Sequence, residues 1–254
     1  MKRTEDRARR NVGLARAISK LGYCSRSRAA ELIRGGHVRV NGVVRKNAEA
    51  PIHIGKDRVE IDGRRIGESE KIYLMLNKPR GVVTTASDER GRETIYNCLN
   101  AALGKDLAWV APVGRLDKAS EGLLLITNDS GWAARITAPE MHVDKTYHVQ
   151  VSGQLTAAQT KKLVDGFKVK DGEFLRVKSA RVLRKGDRNC WAETILDQGR
   201  NRHIRRMFES LGVEVLRLIR VAIGELRLGE LAKGAVRVLS EEERRLLFTK
   251  TKAV

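Results

Sequence analysis

The chain has 254 residues and a formal net charge of +19, from 50 Lys+Arg against 31 Asp+Glu. That length allows one large domain or two smaller ones with a proper buried core. The apolar content of 41% is ordinary for a folded protein, so the excess charge calls for a polyanionic partner, with nucleic acid ahead of anionic membrane. No apolar segment approaches the length of a membrane span. The N-terminus, "MKRTEDRARR", has no apolar stretch behind its basic residues. It does not read as a secretory signal, and residues 1–11 are expected to form a flexible basic arm.

Cys24, Cys98 and Cys190 are isolated and odd in number. They form neither a metal-spaced pair nor a disulfide framework, and read as reduced thiols of a cytoplasmic protein. The five histidines are scattered, with no His-x-x-x-His or His-x-Glu pattern, so no metal site is expected. There is no Gly-x-Gly-x-x-Gly after a strand and no phosphate-loop Gly-Lys-Ser/Thr, and no cofactor is expected.

In "LARAISKLG", Leu14, Ala17, Ile18 and Leu21 lie on one helix face, Arg16 and Lys20 on the opposite one, and Gly22 caps the end. "CSRSRAAELIRGG" reads as a second helix, capped by Ser25 or Ser27 and stopped by Gly35-Gly36. "HVRVNGVVRKNA" alternates apolar and polar residues around Asn41-Gly42, a hairpin signal. "DRVEIDG" adds one short strand. The stretch "GRRIGESEK" (63–71) is polar and reads as a linker, with the module placed at 12–66 and the linker proper at 67–71.

The two helices and hairpin, with "ARAISKLGYCSRSRAAELIRGGHVRVNG" and "IGKDRVEIDG", resemble the small RNA-binding module first known from a ribosomal small-subunit protein. The resemblance, together with the basic footprint, makes Arg16, Lys20, Arg26, Arg28, Arg34 and Arg39 the candidate RNA-binding residues. A module this small has no room for a catalytic pocket.

Beyond it, "IYLMLNKPRGVVTT" reads as an apolar strand, an interruption at Lys78-Pro79 and the start of a second strand. "YHVQVSG", "WAETILD" and "EVLRLIRVAIGELRL" are further strands. Without a regular β-α-β alternation, residues 72–240 are expected to be an α+β domain around a mostly antiparallel mixed sheet, followed by a tail or helix over 241–254. The clearest helix lies in "GRNRHIRRMFESLG". Its inward face is Ile204, Met207, Phe208 and Leu211, Asn201 is the candidate cap, and Arg202, Arg205, Arg206 and Glu209 face outward. Guanidinium groups near a helix start suit anions.

The stretch "GRLDKASEGLLLITND" sets one carboxylate, Asp117, between Arg115 and Lys118 and just before a run, Leu123 to Ile126, that is apolar on both faces. Such an acid is either a solvated loop residue or one anchored in a cleft by cations. The chain offers no triad, metal set or cofactor loop, so Asp117 is the economical catalytic candidate.

"VGRLDKASEGLLLITND" resembles the catalytic motif of the RNA pseudouridine synthases, in the RsuA/RluB branch of bacterial ribosomal enzymes, whose members carry the same kind of N-terminal module. "LMLNKPRGVVTTASDERGR", "DKTYHVQVSG" and "QGRNRHIRRMFESLGVEVLRLIRVAIGELRLGEL" match further motifs of that family, in order. His203 stands where glutamine is usual, and Ala119-Ser120 and "NDSGW" also depart from the pattern.

The resemblance implies an isomerase that converts a specific uridine of ribosomal RNA to pseudouridine, more in the manner of the 23S than of the 16S enzymes. Asp117 is then the catalytic carboxylate, acting covalently or as a base through a glycal. Arg205 pairs with it and holds it ionised. Tyr147 stacks on the target uracil, and Arg115 binds backbone phosphate or fills the space of the extruded base. Arg200, Arg202 and Arg206 contact phosphates, which offsets the cost of flipping the base. The partner is ribosomal RNA or a subunit precursor, with no membrane, and a monomer is expected. Two rivals are a non-catalytic RNA-binding or assembly factor, indifferent to loss of Asp117, and a hydrolase using Asp117 and Glu121 as an acid pair.

Overall fold

The structure, a computed structural model, describes residues 11–67, 69–86, 88–104 and 108–248. The expected basic arm, apart from Asn11, and the last residues of the expected tail lie outside them. The chain divides into two compact units. One comprises the described residues up to Ile72 with the described parts of Lys105–Ala111 and Thr127–Ser130, and the other holds the rest.

The first unit begins with β1 (Val12–Gly13), α1 (Leu14–Lys20) and α2 (Arg26–Arg34), then β2 (Val38–Val40), β3 (Val43–Val44), β4 (Pro51–Ile52), β5 (Val59–Ile61) and β6 (Arg64–Ile66). Ser25 is the cap of α2, its hydroxyl accepting from the Arg28 N–H at 3.1 Å. Gly35 and Gly36 end that helix. Asn41 and Gly42 both have positive φ, 52° and 82°, as a two-residue hairpin turn that follows strand twist requires. The sheet order is β3-β2-β5-β6, all antiparallel. Leu14, Ile18, Ile33, Val38 and Ile61 fill the small core beneath the helices.

The polar run 63–71 is less open than its composition suggests. Arg64–Ile66 forms strand β6 on β5, because Asp62 and Gly63, with φ 48° and 77°, make the two-residue turn that folds the chain back as a hairpin. Past it, Asn128 donates to the Glu70 carbonyl at 2.7 Å and accepts from the Ile72 N–H at 2.9 Å.

The second unit contains β7 (Tyr73–Lys78), α3 (Ile95–Leu103), β8 (Ala111–Pro112), β9 (Glu121–Thr127), α4 (Ser130–Thr137), β10 (Lys145–Ser152), α5 (Ala157–Asp165), β11 (Phe167–Lys168), β12 (Phe174–Leu175), β13 (Ser179–Lys185), β14 (Asn189–Leu196), α6 (His203–Ser210), β15 (Val215–Ile223), β16 (Leu226–Arg227), β17 (Val236–Val238) and α7 (Glu241–Leu246). Residues at the ends of β8, β9 and α4 group with the first unit. The mixed sheet runs β13-β14-β10-β15-β9-β7-β17. β13, β14, β10 and β15 are antiparallel neighbours, and β15 meets β9 in parallel through Ile219↔Glu121 and Arg220↔Gly122. Gly122 has φ +102°, and a Cβ there would lie 2.3 Å from the Arg220 carbonyl oxygen. Only glycine allows that approach.

Every residue of β9 is buried, as its continuous apolar run requires. Val149, Val151, Ala192 and Leu218 pack with Ile204, Met207 and Phe208 of α6 in one core. Met75, Leu123, Leu125, Trp132 and Ile136 belong to a second. The strand expected after Pro79 does not form. Val83 makes only an isolated bridge to Thr94, and the Thr84 hydroxyl is instead bonded to the Leu116 carbonyl at 2.8 Å. Among the described residues, no helix is long and apolar enough to cross a membrane.

Candidate active site

Asp117 opens the turn that leads into β9, closed by the Ser120 N–H on the Asp117 carbonyl at 2.9 Å. Each of the five successive carbonyls from Leu116 to Ser120 has a donor. Thr84 serves Leu116. Lys78 serves Asp117 at 3.2 Å and Ser120 at 2.9 Å. The Gly81 N–H serves Lys118 at 2.8 Å, and Arg205 Nη2 serves Ala119 at 2.9 Å. A loop whose backbone is satisfied this fully has little freedom to move, so the turn fixes the point from which the Asp117 side chain leaves the backbone.

Lys78 is the centre of that support. It ends β7 with no exposed surface, and its ammonium also donates to the Pro79 carbonyl at 3.0 Å. Burial pulls its pKa down to about 8. Arg205 comes from α6, and its Nη1 reaches the Val215 carbonyl at 3.3 Å. Burial first, then the Arg202 charge, lowers its pKa from the ordinary arginine value, while Asp117 acts the other way. The direct Arg205–Asp117 ion pair implied by the motif is therefore not formed. Arg205 holds the turn behind the carboxylate, although the two charges lie close enough to interact.

Asp117 opens onto a cleft of about 370 Å³, lined also by Arg115, Tyr147, Arg202, His203 and Arg220. Tyr147 is half-buried on β10, paired across the sheet with Thr194 and Arg220. Arg115 is exposed at the rim. So the structure gathers Asp117, Arg115 and Tyr147 in one cleft, with Arg205 behind the turn. Arg200 and Arg202 also line it.

The arginine row is more committed than its spacing suggests. Arg200 is ion-paired with Glu173, and Arg206 with Asp171 and Glu173, both at 2.6 Å. Hydrogen bonds from these arginines hold both carboxyls below the usual range. Arg202 is exposed. It is also the residue before α6, with φ 47° and no side-chain cap. Asn201 therefore does not cap the helix, because a left-handed residue stands between it and the first turn.

Glu121 is excluded as Asp117's partner in an acid pair. It is absent from the cleft lining, and its buried carboxylate is held by Arg217 and Lys233, each at 3.0 Å. In the first unit, Arg16, Arg26, Arg28, Arg34 and Arg39 are exposed and Lys20 is half-buried. Arg28 pairs with Glu31 at 3.0 Å.

Sequence reasoning missed Lys78, Lys145 and Arg220. Lys78 had a signal, since a lysine ending an apolar strand before proline must put its charge somewhere. Arg220 had one too, as the only cation on the inward alternation of β15. His203 is buried in the lining, and burial lowers its pKa.

Comparison with known proteins gives the family of each part of the chain. Residues 72–210 match the family model of RNA pseudouridylate synthase, and residues 12–59 match the S4 domain. The chain is 34% identical over 231 residues to the ribosomal large subunit pseudouridine synthase B of Bacillus subtilis, covering 91% of this chain and 93% of that one. It is 35% identical over 239 residues to an RNA pseudouridine synthase of Aquifex aeolicus, covering 93% and 94%. A crystal structure of a pseudouridylate synthase superposes with a TM-score of 0.64 at 30% identity, covering 93% of this chain and 99% of that one. The chain thus belongs to the RNA pseudouridine synthases, isomerases that turn uridine into pseudouridine, and carries an S4 domain ahead of its synthase domain.

Proposed function

We propose that this enzyme isomerises one uridine of ribosomal RNA, in the large subunit, with Asp117 as its catalytic carboxylate. The observation that carries the role of Asp117 is the set of held carbonyls from Leu116 to Ser120, which fixes that acid at the lip of the cleft containing Tyr147. Pre-positioning of this kind lowers the cost of reaching the transition state. The large-subunit substrate is supported by the name of the Bacillus subtilis relative.

The target uridine leaves its stack, at a cost of a few kcal/mol, and its base stacks on Tyr147. The bond between uracil N1 and ribose C1′ breaks, the ring turns, and C1′ rejoins at C5. The C5 proton is lost and N1 gains one, so no redox partner or added group is needed. Asp117 serves either as a nucleophile or as a base that takes a sugar proton. Arg205 keeps the turn in place, and Arg115 and Arg202 hold the RNA backbone at the rim. Arg200 and Arg206 join them only by exchanging a carboxylate for a phosphate. Arg16, Lys20, Arg26, Arg28, Arg34 and Arg39 form the S4 surface, which grips RNA and takes no part in the chemistry.

The test is a pseudouridine map of ribosomal RNA from cells with and without the gene. One large-subunit site is expected to vanish with the gene and return with the wild-type copy. An unchanged map contradicts the assignment, and loss of a small-subunit site redirects it.

A further inference from the structure

The deepest cation of the cleft has no part in the scheme above. Arg220 is 5% exposed and lines the cleft. Its Nε donates to the Leu123 carbonyl at 2.7 Å, where β9 leaves β15. Its Nη2 is buried without a hydrogen-bond partner among the described residues. A buried guanidinium with an unused N–H and no bonded carboxylate is a costly arrangement unless something else completes it.

A second cation stands beside it. Lys145 lines the same cleft and lies two residues before Tyr147 on β10. It therefore shares a sheet face with Tyr147. Tyr147 is the direct cross-strand partner of Arg220. Burial first, then the Arg220 charge, lowers the Lys145 pKa. Two acids act the other way: Asp144, which pairs with Lys178 at 2.6 Å through one oxygen and keeps the other buried without a partner among the described residues, and Asp197, which lies 3.7 Å from His142.

Two neighbouring cations in a half-dry cleft favour an anion over a neutral acceptor. A carbonyl would take the spare N–H but add no charge against the two cations, which Asp144 and Asp197 offset only in part, whereas a phosphate oxygen answers both. We infer that Arg220 and Lys145 form an oxyanion site at the floor of the cleft, which takes a phosphodiester oxygen of the nucleotide whose base stacks on Tyr147. The inference rests on the reading of this cleft as the pocket for a flipped uridine. Arg220 and Lys145 then hold the ribose against Asp117 from the phosphate side.

The experiment titrates uridine, uridine 3′-monophosphate and uridine 5′-monophosphate into the full chain at low salt, followed by NMR. The wild type, Arg220→Gln and Lys145→Gln are compared. At least one monophosphate is expected to bind the wild type about tenfold or more tighter than uridine. Each variant is expected to erase that preference and leave uridine binding unchanged. Should Arg220→Gln fail to fold, Lys145→Gln carries the decision, since its site is only half-buried.

Equal binding of uridine and both monophosphates by the wild type overturns the site. So does a preference that survives Lys145→Gln, or an equal loss of uridine and monophosphate binding in the variants, which would place both cations against the base. The same preparations are assayed for pseudouridine in ribosomal RNA. Activity that depends on Asp117, without a monophosphate preference, overturns this inference alone. No pseudouridine from the wild type overturns the functional reading, and this site with it.

Discussion

The ammonium of Lys78 donates to the backbone carbonyl of Asp117, 3.2 Å away, from a position with no exposed surface. It bonds the carbonyls of Pro79 and Ser120 as well, so one side chain ties the end of β7 to both ends of the Asp117 turn. Lys78→Met removes all three donors and leaves the carbonyls to find new partners. Turnover is expected to fall about 10²-fold, as for a small misplacement of a reacting group. Affinity for RNA is expected to hold, since Lys78 faces no solvent. Single-turnover rates and binding isotherms on the same RNA check this, and a near wild-type rate would mean the turn is held well enough without Lys78.

The same lysine makes a pH prediction. Its pKa falls from 10.5 to about 8 on folding. Between those values the unfolded chain holds a proton that the folded chain has released, so stability due to this group rises with pH. It is fully present above 10.5 and lost as pH falls through about 8. The slope in that window is about 1.4 kcal/mol per pH unit. Urea unfolding of wild type and Lys78→Met at pH 7.5 and pH 10 is expected to show the difference moving in favour of wild type at the higher pH. A pH-independent difference would contradict the assignment.

Arg205→Lys keeps the charge and loses the planar fork. Arg205 reaches the Ala119 and Val215 carbonyls with two different nitrogens, and one ammonium cannot reproduce that geometry. Turnover is expected to drop by roughly 10–100-fold with the melting temperature nearly unchanged. Wild-type turnover would show that Arg205 acts only as diffuse charge.

Deleting residues 1–66 tests the division of labour. The core around Leu14, Ile33 and Ile61 lies wholly inside the deleted part. The two other cores lie wholly within residues 73–248. The truncated chain is expected to fold and to keep most of its turnover number at saturating RNA. For every phosphate that it no longer neutralises, the slope of log affinity against log salt should flatten by about 0.7–0.9. An unchanged slope would show that the S4 domain does not touch the RNA.

The sequence makes some of this molecule legible and hides the rest for physical reasons. The Asn41-Gly42 hairpin, the Ser25 cap and the buried run of β9 follow from local rules and are formed as expected. The core face of α6 is readable from a 3.6-residue period. Its start is not, because Arg202 adopts a left-handed conformation that no spacing signals. The strand expected after Pro79 shrinks to one bridge, where the Val83 backbone bonds with Glu93 and Ile95, and the neighbouring Thr84 hydroxyl goes to Leu116, a partner 32 residues away. Of the cleft's residues, Asp117 and Arg202 are readable from charge and spacing, and Tyr147 is named by resemblance alone. The supports of Asp117 come from Lys78, Gly81, Thr84 and Arg205, and only the fold brings those four together. Ion pairing of Arg200 and Arg206 is equally hidden, since Asp171 and Glu173 are remote in sequence from both.

The most direct test of the account is Asp117→Asn, with affinity and single-turnover isomerisation measured on the same ribosomal RNA fragment. The substitution preserves shape, and the turn is held by its backbone carbonyls, not by the Asp117 carboxyl. The account predicts unchanged RNA affinity, an unchanged melting temperature and a rate reduced by about 10²–10⁴-fold or more. A purified variant that still converts its uridine at an appreciable fraction of the wild-type rate would contradict the assignment of Asp117.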